Sequence, residues 1–105
     1  MNIQQIMKQA QQMQKKLQEG QAALEKKEFV GTANNGDVSI TIMGTGLVKS
    51  INIKEDLIDK DDKEILEDLL VVAFNDARKK LDEESSSTMN AATGGINLNN
   101  FKLPF

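Results

Sequence analysis

The chain is predicted to fold as an α+β domain, an α-β-β-β-α subunit in which a long first helix precedes a three-stranded antiparallel meander and a second helix covers the sheet. Three observations predict this. Apolar residues recur every three or four positions from Ile3 to Leu24. Two turn signals, Asn35-Gly36 and Gly44-Thr45-Gly46, bracket the alternating run Val38, Ile40, Ile42. A second stripe of helical period runs from Ile65 to Leu81.

The first helix is placed over residues 2–26. Ile3, Ile6, Ala10, Met13, Leu17, Gly20 and Leu24 occupy a and d positions of successive heptads. Glutamine, lysine, alanine and leucine fill most other positions, and all are good helix formers. Gly20 is the weak point, at about 1 kcal/mol against alanine, but it also lets another backbone come close. Such a helix is about 37 Å long, against a radius of gyration of about 13 Å for a compact domain of this size. It is therefore expected to overhang its own domain. A narrow apolar seam on an overhanging rod calls for a second copy, so Ile3, Ile6, Ala10, Met13, Leu17 and Leu24 are the candidate dimer interface.

Residues 28–53 hold the strands. Phe29 to Ala33 forms the first, and Asn35-Gly36 is a two-residue hairpin signal. After the second turn, Leu47, Ile51 and Ile53 are expected on one face, with Lys49 as the exception. Short connections imply a meander, and its apolar face needs a cover. The second helix, expected over 61–84, supplies it through Ile65, Leu66, Leu69, Leu70, Ala73, Ala77 and Leu81. Asp61 and Glu64 have capping-box spacing. Acids at its start and Arg78, Lys79 and Lys80 in its last turns suit the helix dipole. Residues 1–84 thus form a single domain, and 85–105 a mobile or loosely docked tail.

Composition limits the chemistry. With 105 residues there is room for one modest core, and with no cysteine there is no disulfide framework or thiolate metal site. Histidine is also absent. No run approaches the roughly 20 apolar residues of a membrane span. A cytoplasmic protein without cofactor or metal, and no enzyme, is expected. "DLIDKDDKE" lacks the glycine and ligand spacing of a calcium loop and reads as a solvated helix cap; the rival is a metal-dependent enzyme using these acids. "GTG" reads as a turn, since a strand rather than a helix follows it.

The net charge is −3, yet residues 1–18 carry Lys8, Lys15 and Lys16 and no acid. With Ile3 at a, Lys8 and Lys15 fall at f, about 10 Å apart on the face opposite the seam, and Lys16 falls at g. Glutamines surround them. Positive charge with neutral donors suits phosphate and sugar contacts, and a carboxylate there would repel phosphate. A merely soluble helix exterior has the same composition, as does a lipid-surface helix, although the seam is narrow and carries no aromatic residue. Arg78, Lys79 and Lys80 likewise serve either phosphate or the helix dipole. From residues alone the reading stops at a dimeric scaffold with basic arms.

"IMKQAQQMQKKLQ", "DVSITIMGTGLVKSINI" and "DKEILEDLLVVAFNDARKKL", in this order and spacing, together with the ending "FKLPF", resemble the YbaB/EbfC family of bacterial nucleoid-associated proteins over nearly the whole chain. The resemblance implies an intertwined homodimer whose helices project like the jaws of tweezers. It also implies binding of double-stranded DNA with little sequence preference, altering DNA conformation and contributing to nucleoid organisation and gene regulation. Carried onto this chain, the DNA contacts are Lys8, Lys15, Lys16, Arg78, Lys79 and Lys80. Two features depart from the family pattern: the acidic start of the second helix, and Asn99-Asn100 in place of a Pro-Gly pair. The expected partners are double-stranded DNA and a second copy, with no membrane and no small-molecule substrate. The alternative is a protein-interaction scaffold whose arms grip a DNA-repair or other protein.

Overall fold

The computed structural model describes residues 2–92. The expectations for a tail over 93–105, including Asn99-Asn100, lie outside the described residues. Helix α1 spans Ile3–Lys26, strands β1 Glu28–Ala33, β2 Val38–Met43 and β3 Val48–Ile53 follow, and helix α2 spans Lys63–Ala92. The strands form one antiparallel sheet in the order β1-β2-β3. The predicted α+β meander between two helices is therefore the fold observed.

α1 starts where Asn2 caps it, its side chain accepting from the Gln4 amide at 3.1 Å. Asn35 and Gly36 both have positive φ, and the Asp37 amide closes the turn onto the Asn34 carbonyl at 3.2 Å. Asn34 also has positive φ, and the Gly36 amide donates to the Ala33 carbonyl at 3.2 Å, so residues 34–37 together make the turn between the paired Ala33 and Val38. The ladder places Phe29 opposite Ile42, Gly31 opposite Ile40 and Ala33 opposite Val38; on the other side Ile51 pairs with Ile40 and Ile53 with Val38. Paired residues share a face, so all of these lie on one side of the sheet.

The core sits between that face and α2. Leu24, Ala33, Val38, Ile40, Ile42, Ala73, Ala77 and Leu81 are buried, with Phe29, Leu66, Leu69, Leu70 and Phe74 packed around them. Contact is close because the residues at the crossing are small. A Cβ on Gly31 would lie 2.0 Å from the Ala73 carbonyl oxygen, and one on Gly44 1.8 Å from the Leu24 carbonyl oxygen. The first close approach seats α2 on β1, and the second seats the end of α1 beside the β2–β3 turn.

Four expectations need correction. α2 runs to Ala92 rather than ending at 84, so residues 85–92 belong to a helix and not to a tail. It starts at Lys63, directly after a 3-10 turn at Lys60–Asp62 that Asp59 caps, its carboxylate accepting from the Asp61 amide at 3.0 Å; among the described residues no capping-box hydrogen bond joins Asp61 and Glu64. In β3 the register shifts so that Thr41 pairs with Ser50 while Ile42 pairs with Val48. The extra residue, Lys49, forms a bulge, so Val48 joins Ile51 and Ile53 on the inner face and Leu47 stays 69% exposed. Leu24 is 3% exposed within its own subunit's core, which removes it from the candidate dimer seam.

The two sheet edges are treated differently. At β1 the Thr32 amide donates to Asp76 at 3.0 Å, and Lys80 donates to the Val30 carbonyl at 2.7 Å. Side chains of α2 thereby satisfy edge groups that would otherwise template another strand. Among the described residues β3 has no such cover: α2 lies over β1 and β2, and Val48 and Ile51 are about half exposed. Helix overhang is confirmed by a radius of gyration of 19.7 Å and a long axis of 70 Å.

Candidate nucleic-acid interface

The stripe that looks continuous along α1 divides in two. At its C-terminal end Leu24 enters the core, Gly20 faces Thr88 so closely that a Cβ would lie 2.6 Å from its methyl carbon, and Lys27 pairs with Glu84. Moving back along α1 thus meets residues further along α2, so the helices run antiparallel here. Met13 and Leu17 are half-buried. Beyond them the rod is unsupported, with Ile3, Ile6, Met7 and Ala10 all exposed.

Lys8, Lys15 and Lys16 are exposed on this rod, and among the described residues none makes an ion pair or side-chain hydrogen bond. Asn2, Gln4, Gln5, Gln9, Gln11, Gln12, Gln14 and Gln18 supply the remaining exposed polar groups, and Glu19 is the first acid. The half of α1 that leaves the body is therefore its cationic half.

The three basic residues of α2 separate into different roles. Consecutive helical residues point about 100° apart, so they do not form one surface. Lys80 is held at the β1 edge by the Val30 carbonyl and sits 3.4 Å from Asp76. Arg78 pairs with Asp82 at 3.3 Å and reaches toward Gly46 in the β2–β3 turn. Lys79 is exposed and alone of the three makes no ion pair or side-chain hydrogen bond among the described residues. The open groove of about 680 Å³ beside it also contains Asp82 and Glu83, so its charges cancel where a polyanion would need excess positive charge.

Sequence reasoning saw the lysine row but missed the role of Asp76. Its carboxyl is held below its ordinary range, first by the Thr32 amide, against an opposing desolvation, and then by the Lys80 ammonium, with Lys79 assisting from further away. Nothing in the residue order marked it, because its partner is 44 positions away.

No group of three or more His, Cys, Asp or Glu residues that could hold a metal ion occurs among the described residues, and no described helix is long and apolar enough to cross a membrane. What the geometry offers is a small α+β body bearing an exposed helical arm with unopposed positive charge. This defines a candidate binding protein for an extended polyanion.

The comparisons with known proteins agree with that class. Residues 1–96 match the YbaB/EbfC DNA-binding family. A nucleoid-associated protein of Rickettsia akari is 47% identical, over 99% of this chain and 98% of its own length. One of Clostridium novyi is 47% identical, over 93% and 86% respectively. In shape the chain is similar to the crystal structure of an uncharacterized Helicobacter pylori protein, with a TM-score of 0.71 at 23% identity, covering 92% of this chain and 99% of that one. The chain belongs to the YbaB/EbfC family of nucleoid-associated DNA-binding proteins.

Proposed function

We propose that the protein acts in the nucleoid as a homodimer that binds double-stranded DNA through its backbone phosphates, with little sequence preference. The observation that carries this reading is the free half of α1: three lysines, no acid before Glu19, and no ion-pair partner for them among the described residues. Lys8, Lys15 and Lys16 make the phosphate contacts, and Lys79 adds a weaker one. Arg78 and Lys80 serve the fold. Arg78 is the only arginine in the chain, so bidentate guanine reading is scarce. Preference for particular sites then comes from how easily the duplex deforms between two arms. By this route the protein alters DNA conformation and contributes to nucleoid organisation and gene regulation.

Dimerisation supplies the second arm. Its surface is the inner face of β3 with the adjoining flank of α2: Val48, Ile51, Val71 and Phe74, of which the first three are about half exposed or more. Val71, Phe74 and Arg78 share a helical flank, and Arg78 reaches the β2–β3 turn, which directs that flank toward β3. Both β3 edge and apolar face then find cover in a second copy.

The test is charge reversal. Lys8→Glu with Lys15→Glu places carboxylates on the rod far from every buried contact. Duplex binding in a gel shift falls below detection, while the thermal midpoint and the dimer mass by light scattering stay unchanged. Unaltered affinity in a folded dimer would refute the assignment.

A further inference from the structure

The rod has a second face. Opposite Lys8 and Lys15 lie Ile3, Ile6 and Met7, which are 72%, 49% and 57% exposed, with Ala10 also exposed between them and half-buried Met13. Neither the core, nor α2, nor the proposed dimer surface uses them. From the geometry we infer that this face is a docking surface for the same face on a second dimer, and that DNA is required to bring the two together. The inference rests on the DNA-binding reading above.

Three observations select the occupant. First, the pattern is the remaining N-terminal part of an a/d seam, which is self-complementary by construction. Second, its borders are electrically neutral. The flanking positions carry Gln9 and Gln14, with no charge before Lys16, so two copies meet without repulsion. Another exposed apolar pair, Ile65 and Val72 on α2, shares its side of the helix with Glu64 and Asp68. There a second copy would set acid against acid. Third, the seam is too small to act alone. Residues 3–13 span about 16 Å, fewer than the three or four heptads of a self-standing coiled coil and well below the roughly 800 Å² per partner of a stable interface. Contact is thus conditional on high local concentration, which neighbouring dimers on one duplex provide. Because Lys8 and Lys15 point the opposite way, each rod holds phosphate with one face and its neighbour with the other.

The absence of cysteine makes the test clean. Ala10→Cys places a thiol near the middle of the free seam, where parallel and antiparallel pairing both bring the two copies of position 10 close. Gln12→Cys places one on the opposite face as a control. Each variant is oxidised mildly without DNA, with a duplex that accommodates one dimer, and with one several times longer. Cross-linking of Ala10→Cys on the long duplex should exceed that in the other two conditions by on the order of tenfold, and Gln12→Cys should not cross-link. In parallel, the combined Ile3→Ser, Ile6→Ser and Met7→Ser variant should keep wild-type affinity for the short duplex and lose cooperativity on the long one. The inference is overturned by equal cross-linking at positions 10 and 12, by equal cross-linking on short and long duplexes or without DNA, or by cooperativity that survives the triple change. If wild-type protein fails to bind even the short duplex, the DNA reading fails first and this inference falls with it. Intact binding with no cross-link at position 10 overturns this inference alone.

Discussion

The two halves of α1 share a heptad pattern and differ in almost everything else. From Leu17 to Lys26 the helix is anchored: Leu24 is in the core, Gly20 abuts Thr88, and the end of the helix leads into β1. From Ile3 to Lys16 it is a rod whose apolar positions are open to solvent or only half covered. One periodic stripe therefore serves two surfaces, and where α2 stops covering it decides which residues belong to the fold. The positive charge lies on the unanchored half, so on the proposed reading binding and stability are borne by different residues of one helix.

Truncation of single side chains tests that division most strongly. Leu24→Ala should cost about 2–5 kcal/mol in urea unfolding, as a buried leucine deletion does, whereas Ile3→Ala should stay within about 0.5 kcal/mol. Comparable losses at both positions would erase the distinction. The basic run of α2 offers a smaller contrast. Lys80→Ala should lower stability by about 0.5–1 kcal/mol through its lost bond to the Val30 carbonyl and leave duplex affinity unchanged; Lys79→Ala should do the reverse, weakening binding a few-fold. Equal effects on affinity would return Lys80 to the DNA surface.

Gly20 sharpens the boundary between the halves. Alanine there gains about 1 kcal/mol of helix propensity but drives a methyl into Thr88. Gly20→Ala should therefore stabilise by up to about 1 kcal/mol in a Thr88→Ser background, which removes that methyl, and give less in the wild-type background. A chemical-denaturation cycle over the four proteins measures the difference.

The smallest effect is at Asp76. Its pKa is lowered on folding from an ordinary value of 3.8, so the stability it contributes is present above that value and fades as pH falls through the lower folded-state pKa. Thermal midpoints measured from pH 5 down to pH 2 should fall less steeply in Asp76→Asn than in wild type.

Much of the fold was legible in the residue order. Local signals marked α1, the Asn35-Gly36 turn and the alternating β2, because each depends on neighbours within a few positions. Features set by distant partners were not legible. "SSSTMNAA" reads as a loop by composition, yet α2 continues through it alongside α1, where Thr88 meets Gly20. The Lys49 bulge reversed the expected facing of Leu47 and Val48, since a one-residue insertion changes parity without altering composition. For the site, the lysine row on α1 was visible from its missing acids. That Lys80 and Arg78 were already engaged was not, because the Val30 carbonyl and the β2–β3 turn are remote in sequence.

The central claim is that unopposed lysines on the free half of α1 hold DNA by its phosphates. The most direct measurement is the salt dependence of affinity, by fluorescence anisotropy, for several unrelated duplexes of equal length. With about four to six phosphates neutralised per dimer, log affinity should fall against log salt with a slope of about −4 to −5, alike for every sequence. A slope near zero, or one duplex bound far more tightly than the rest at every salt concentration, would contradict it.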